Sequence, residues 1–283
     1  WQEHRTAVDS ALKTINGRGL PAGYLLEADP SDWDYFDIFM VGWVWSHTIY
    51  GEKAGPRIAH RGRRYSGTAL RLVDRVFQCG GDSSAVLSMN GDPVLDAFHW
   101  EAVYAAGSVY NPRMWQESWG GTEIWQGFRD GEVFLAFMTQ LDCFFIHGTG
   151  QDSLFGYLDD PDDMGVALMP TGCGLDLDAG GRIARPGIKA ITTGGWWWGI
   201  PRSAPDPMLS YRIIRHLTGT TNQIQECTRF GMIPVRKDIL SDMGMMFGGG
   251  WITQIYETSF RQLVANGHSV VPTSHHFARI SGL

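Results

Sequence analysis

The sequence predicts an α/β fold, and three observations carry that prediction. Helix-period segments alternate with short strand-like runs over most of the chain. One helical stretch is stopped by Asp130-Gly131 and followed at once by a run rich in Val, Phe and Leu, residues 132–138. After Pro207 the patterns are helical. In layered folds of this kind, ligands settle where loops converge at the carboxyl ends of strands.

Taken in order, Val8, Leu12 and Ile15 fall at helical spacing within residues 1–16, and Asn16-Gly17-Arg18-Gly19 supplies residues that tolerate a left-handed cap. Residues 23–26 read as a short strand. Asp29-Pro30-Ser31-Asp32 then starts a helix over 33–45 that is apolar on most sides and so expected to be buried. Residues 51–65 are basic and aperiodic and read as a surface excursion with Arg57, His60, Arg61, Arg63 and Arg64, a solvated loop with an anion site as the alternative. Helices are predicted over 68–77, 92–106 and 122–128, the second opened by Asp92-Pro93. Further strands are predicted over 164–169 and 188–200, and the closing helices over 208–217, 221–229 and 251–266.

The 283 residues are 43% hydrophobic and 19% charged, enough for a sizeable core. With 23 basic against 30 acidic side chains the formal charge is −7, which disfavours nucleic-acid or anionic-membrane partners and suits a neutral or weakly charged ligand. No apolar run is long enough to cross a membrane as a helix. Trp1 shows neither an initiator Met nor a secretion signal, so the start is expected to be an interior point of a longer chain. Cys79, Cys143, Cys173 and Cys227 form no CxxC pair; buried free thiols and a disulfide both fit. The acidic turns 159–163 and 176–181 lack the EF-hand pattern. His147, His216, His275 and His276 have no metal-motif companion, so no metal or cofactor is expected.

Four phrases in order carry a family resemblance. Phe128-Arg129-Asp130-Gly131-Glu132 with its apolar strand is followed by Gly194-Gly195-Trp196-Trp197-Trp198-Gly199-Ile200-Pro201-Arg202-Ser203, then His216-Leu217-Thr218-Gly219, then Phe230-Gly231-Met232-Ile233-Pro234-Val235-Arg236-Lys237-Asp238. Together they resemble family 1 extracellular solute-binding proteins, the maltose-binding-protein-like sugar binders of ABC importers. Upstream, residues 1–15 and 24–26 look like the helix and strand after the family's first interlobe crossing.

The resemblance implies a type II, two-lobed periplasmic-binding-protein-like fold with the ligand in a cleft that closes by a hinge. The chain would cover mainly the second lobe and part of the first. Residues 1–145 would begin the second lobe, 146–205 would give strands and crossings to the first, and 206–283 would return to the second. It also implies an ABC permease as partner, a periplasmic or extracellular location with a lipid anchor as one form, and a monomer, with another chain completing the first lobe as the variant.

Candidate ligand contacts follow from residues and resemblance together. Successive strand residues point to opposite faces, so at least one of Trp196, Trp197 and Trp198 faces away from a core. Gly195 allows close backbone approach there, and Trp196 is the first choice for stacking on a sugar ring. Gln140 and Asp142 are candidates for hydroxyl recognition, with loop solvation the alternative. Trp33 matches a cleft position of sugar binders or anchors its own helix. Trp115, Trp119 and Trp125, with Glu117 and Glu123 between them, line a sugar groove or pack a helix. Arg236 points to a ligand or ties a turn. The expectation is a binder without covalent chemistry. A glycoside hydrolase with a Trp-lined cleft is one alternative, and an accessory subunit reusing the fold is another.

Overall fold

Val8 and Leu12 bury one stripe of the first helix, α1 (Gln2–Asn16), against α2 (Tyr35–His47), whose Tyr35, Phe36, Phe39 and Met40 are fully enclosed. The computed structural model describes residues 2–47, 49–50, 53–147, 163–193, 198–265 and 269–270. Packing divides the chain into two compact units. Unit 1 holds Trp1–Met138, Ala167–Thr193 and Arg261–Leu283, and unit 2 holds Thr139–Val166 and Gly194–Phe260. These divisions fall at other points than the expected 145 and 205: residues 167–193 pack with the first segment. No described helix is long and apolar enough to cross a membrane.

In unit 1 the all-round apolar α2 is buried as predicted, with Phe36 edge-on to Trp100 at 4.9 Å and 87°. Trp100 lies on α5 (Asp92–Ala106), whose observed span is the predicted one. Two buried donors of this aromatic core are paired: Trp100 Nε1 donates to the Cys173 carbonyl at 2.7 Å and Tyr104 Oη to the Tyr35 carbonyl at 2.8 Å. A second apolar cluster joins α5 to α3 (Ser66–Gln78) through Val73, Val76, Phe77, Val94 and Ala97.

The surface excursion expected over 51–65 is corrected. Ile49–Tyr50 (β1) and Lys53–Ala54 (β2) form an antiparallel pair, and Arg57–Ala59 (β3) is a core strand parallel to Val133–Ala136 (β4). Ile58 and Ala59 are fully buried and His60 nearly so, because the α2 and α7 (Gly121–Arg129) layers cover this short ladder. Between α3 and α5 lies the short α4 (Ser83–Ser88), and α6 (Arg113–Gln116) precedes α7. Residues 23–26 form no strand: Ala22 and Gly23 make a turn closed by Tyr24 N donating to the Pro21 carbonyl at 3.1 Å, and no ladder follows.

The end of α3 meets residues 171–190 through a backbone junction that only glycine permits. A Cβ on Gly187 would lie 2.1 Å from the Gln78 carbonyl oxygen, and one on Gly172 2.3 Å from the same residue. This closeness lets Ile188 N donate to Gln78 O at 2.8 Å while Gln78 Nε2 donates to Ala190 O at 2.7 Å. Beyond it, Thr192–Thr193 (β5) pairs in parallel with Ser269–Val270 (β6). The strand expected over 188–200 is thus reduced to two residues within the described part, and 164–169 carries none.

Unit 2 is helical. Gln140–His147 (α8), Pro207–Leu217 (α9), Thr220–Phe230 (α10), Lys237–Leu240 (α11), Met243–Phe247 (α12) and most of Gly250–Ala265 (α13) supply it. Its core gathers Phe144, Cys227, Met243, Ile255 and Tyr256, with His147 stacked on Trp251 at 3.7 Å. All four cysteines are free and buried, which settles the alternative of a disulfide. Burial pushes the Cys79, Cys143 and Cys227 thiols up to about 12, so they are inert at neutral pH.

Candidate ligand-binding site

Two of the points where the chain enters unit 1, Ala167 and Arg261, lie beside one turn. That turn is built locally. The Asp29 carboxylate accepts from Ser31 N at 2.8 Å and caps the single 3-10 turn Pro30–Asp32. Asp34 then caps α2, accepting from Phe36 N at 2.7 Å and Asp37 N at 3.1 Å, while Asp37 accepts from Asp34 N at 2.9 Å. This reciprocal box fixes where α2 begins and how Ser31, Asp32 and Trp33 are presented.

Longer-range bonds hold the turn against the segment ends. Thr171 N donates to the Trp33 carbonyl at 2.8 Å, and Leu168 N to Ser31 Oγ at 3.4 Å. Lys189 donates to the Ser31 carbonyl and pairs with Asp32 at 3.3 Å. Gln262 Oε1 accepts from Met169 N at 2.7 Å, and Arg261 reaches Ser31 Oγ at 3.5 Å. Asp32 keeps an exposed carboxylate, and Trp33 a half-buried ring whose Nε1 donates to the Glu27 carbonyl at 2.9 Å. An acceptor, an ammonium and an indole edge on one rim can take sugar hydroxyls and a ring face.

A second group of polar side chains sits at the carboxyl ends of β3 and β4. Arg75, fully buried, pairs with Glu101 and donates to Tyr110 Oη, and its guanidinium stands 4.8 Å from the ring centres of Tyr35 and Tyr104. His60 Nε2 lies 3.3 Å from the other Glu101 oxygen, and its Nδ1 2.8 Å from the Arg61 carbonyl. Burial disfavours ionised Glu101, but Arg75 and His60 outweigh it and hold the carboxyl at about 2. Nearby, the Arg71 guanidinium covers the Phe137 ring at 3.9 Å.

Burial raises Asp34, against its Tyr24 and backbone hydrogen bonds, and raises Asp37 to about 7, where the neighbouring Asp34 charge adds to the effect. Both carboxylates accept from the backbone at the start of α2, so this pair is a helix cap. Other carboxylates have partners as well. Glu117 pairs with Arg113 at 2.9 Å, Glu123 accepts from Gly120 N at 2.7 Å, and Asp32 meets Lys189. Among the described residues no group of three His, Cys, Asp or Glu could hold a metal ion.

The sequence candidates separate on inspection. Trp33 lies on the rim just described. Trp115, 43% exposed, lies edge-on to His60 at 4.9 Å. Trp119 is 2% exposed, belongs to the core and donates to Glu117 at 3.2 Å, so its groove role is corrected to packing. Asp142 is buried too, because it caps α8: it accepts from Thr139 N at 3.0 Å and Thr139 Oγ at 2.8 Å. Gln140 opens that helix, half-buried. Arg236 pairs with Asp238 at 2.9 Å and donates to the Thr218 carbonyl at 3.4 Å, which ties its turn. Trp198 is 63% exposed, and Gly195, Trp196 and Trp197 lie outside the described residues, as does most of the acidic stretch 159–163.

The model of a protein family described as bacterial extracellular solute-binding protein matches residues 80–246. The chain belongs to that family. Among solved structures, this solute-binding chain matches maltose-bound MalE3 of T. maritima with a TM-score of 0.63 at 18% identity, over 97% of this chain and 61% of that one. At that identity the likeness shows the fold, which is the type II periplasmic-binding fold. The solute-binding chain therefore spans 61% of the length of the structure it matches. No curated protein sequence matches it.

Arg71, Arg75 and Glu101 were not singled out as candidates from the sequence. Arg71, Arg75 and Gln78 do recur at i, i+4 and i+7 of α3, a polar stripe that on its own reads as a solvent face.

Proposed function

We propose that the protein is the substrate-binding component of an ABC importer and works outside the cytoplasm. It takes up a sugar or similar polar solute by aromatic stacking and hydrogen bonds, with no covalent step, and delivers it to a membrane permease. Membership of the extracellular solute-binding family carries this reading. The rim of Asp32, Trp33 and Lys189 supports it, as does the exposed indole of Trp115, since both offer what a sugar needs at its faces and hydroxyls. Trp33, Trp115, Trp198, Gln140 and the Gly195–Trp197 stretch remain the proposed contacts. Trp119, Asp142 and Arg236 act through structure.

Calorimetric titration of the full-length protein with a panel of mono- and oligosaccharides tests the reading. Binding of at least one sugar is expected, weakened about tenfold or more by Trp33→Ala if an aromatic hot spot is lost. No binding, with turnover of a glycoside in its place, would overturn it.

A further inference from the structure

Arg71 is 6% exposed, and none of its three guanidinium nitrogens meets a hydrogen-bond acceptor among the described residues. Its surroundings explain why. Glu101 is taken by Arg75, His60 and Tyr110. Asp74, one turn further along α3, accepts from Thr192 N at 2.5 Å, and burial raises its carboxyl to about 6 against the pull of the nearby Arg71 charge, so it balances that charge only in part. The Phe137 ring at 3.9 Å attracts the cation but accepts none of its five N–H groups. A guanidinium taken out of water without a partner is a strongly unfavourable arrangement unless an anion completes it.

Its position suits a ligand. Phe137 follows β4, its N–H donates to the Ala59 carbonyl at 3.0 Å, and it directly precedes Met138, where the chain leaves unit 1. Thr192, held by Asp74, directly precedes Thr193, where the chain leaves it again. Arg71 thus stands at the carboxyl ends of a parallel strand pair, next to two chain exits. We propose that Arg71 recognises an oxyanion on the transported solute, so that the solute is an acidic sugar bearing a carboxylate or phosphate. The inference rests on the sugar-binding reading and narrows it. A chain of charge −7 suits a ligand with a single, locally recognised anion better than a polyanion.

The experiment titrates the full-length protein with glucose and maltose, with glucuronate and galacturonate, and with glucose 6-phosphate. An acidic sugar should bind on the order of 100-fold tighter than its neutral counterpart, and the arm that does so names the anion. In R71M and R71Q the ratio of acidic to neutral affinity should fall by a similar factor. Thermal unfolding of each variant shows which of the two retains the fold, and the wild-type panel decides the matter if neither does. Neutral sugars binding as well as acidic ones, or an unchanged ratio in a folded variant, overturn the anion role and leave sugar binding standing. Failure of every sugar to bind overturns both.

Discussion

Unit 1 encloses Tyr35, Trp100 and Tyr104 together with the ionised pair Arg75–Glu101, whereas unit 2 centres on Phe144, Ile255 and Tyr256 and leaves α9 without one buried residue. On α9 the side chains of Met208, Leu209, Tyr211 and Ile213 are all more than half exposed. The difference teaches where each unit stores its specificity. Unit 1 combines apolar burial with paired buried charge, so its interior tolerates little change. Unit 2 rests on a small apolar core and surface pairs such as Arg236–Asp238.

The sharpest way to break the comparison is Glu101→Gln, which leaves Arg75 buried without its counter-charge. It should cost about 3–5 kcal/mol in urea unfolding. The wild-type pH profile should carry the same interaction. Glu101 titrates at about 2 in the folded state against an ordinary value of 4.5, so its stabilisation is complete above 4.5 and is lost as pH falls towards 2. Asp37, raised to about 7, acts in the opposite sense: the folded state keeps a proton that the unfolded chain releases near 4. Stability should therefore also decline as pH climbs from about 4 to 7, and a profile flat across both windows would refute the assignments.

In unit 2, Ile255→Ala removes a side chain 1% exposed and should cost about 2–4 kcal/mol by the same measurement. Gly187→Ala tests the backbone junction of unit 1. Its methyl meets the Gln78 carbonyl, so a loss of about 1–3 kcal/mol is expected, with raised hydrogen exchange at Ile188. Ile213→Ser on the open face of α9 should change stability by less than about 0.5 kcal/mol. A large loss there would show that α9 is covered in solution.

Much of the helical framework was legible because the signals were local. Asp92-Pro93 opens α5 at the expected residue, and the all-round apolar pattern of α2 foretold its burial. The cap of α8 was readable as well, since Thr139 and Asp142 stand at capping-box spacing, yet Asp142 was weighed as a ligand contact. β3 was missed because three residues show no periodicity and basic neighbours disguise them. What makes Arg57–Ala59 a strand is β4, more than seventy residues away.

By itself the sequence determined the α/β class, the positions of the long helices and, through four ordered phrases, the solute-binding family, because periodicity, caps and motif order are properties of neighbouring residues. Only the tertiary structure decided which polar groups are buried and whether each has a partner. Arg71 and Arg75 sit one turn apart on α3 and look alike in the sequence. One is ion-paired with Glu101 from α5 and the other lies over the face of Phe137 without a hydrogen-bond acceptor, since pairing depends on side chains that the fold brings together from distant segments.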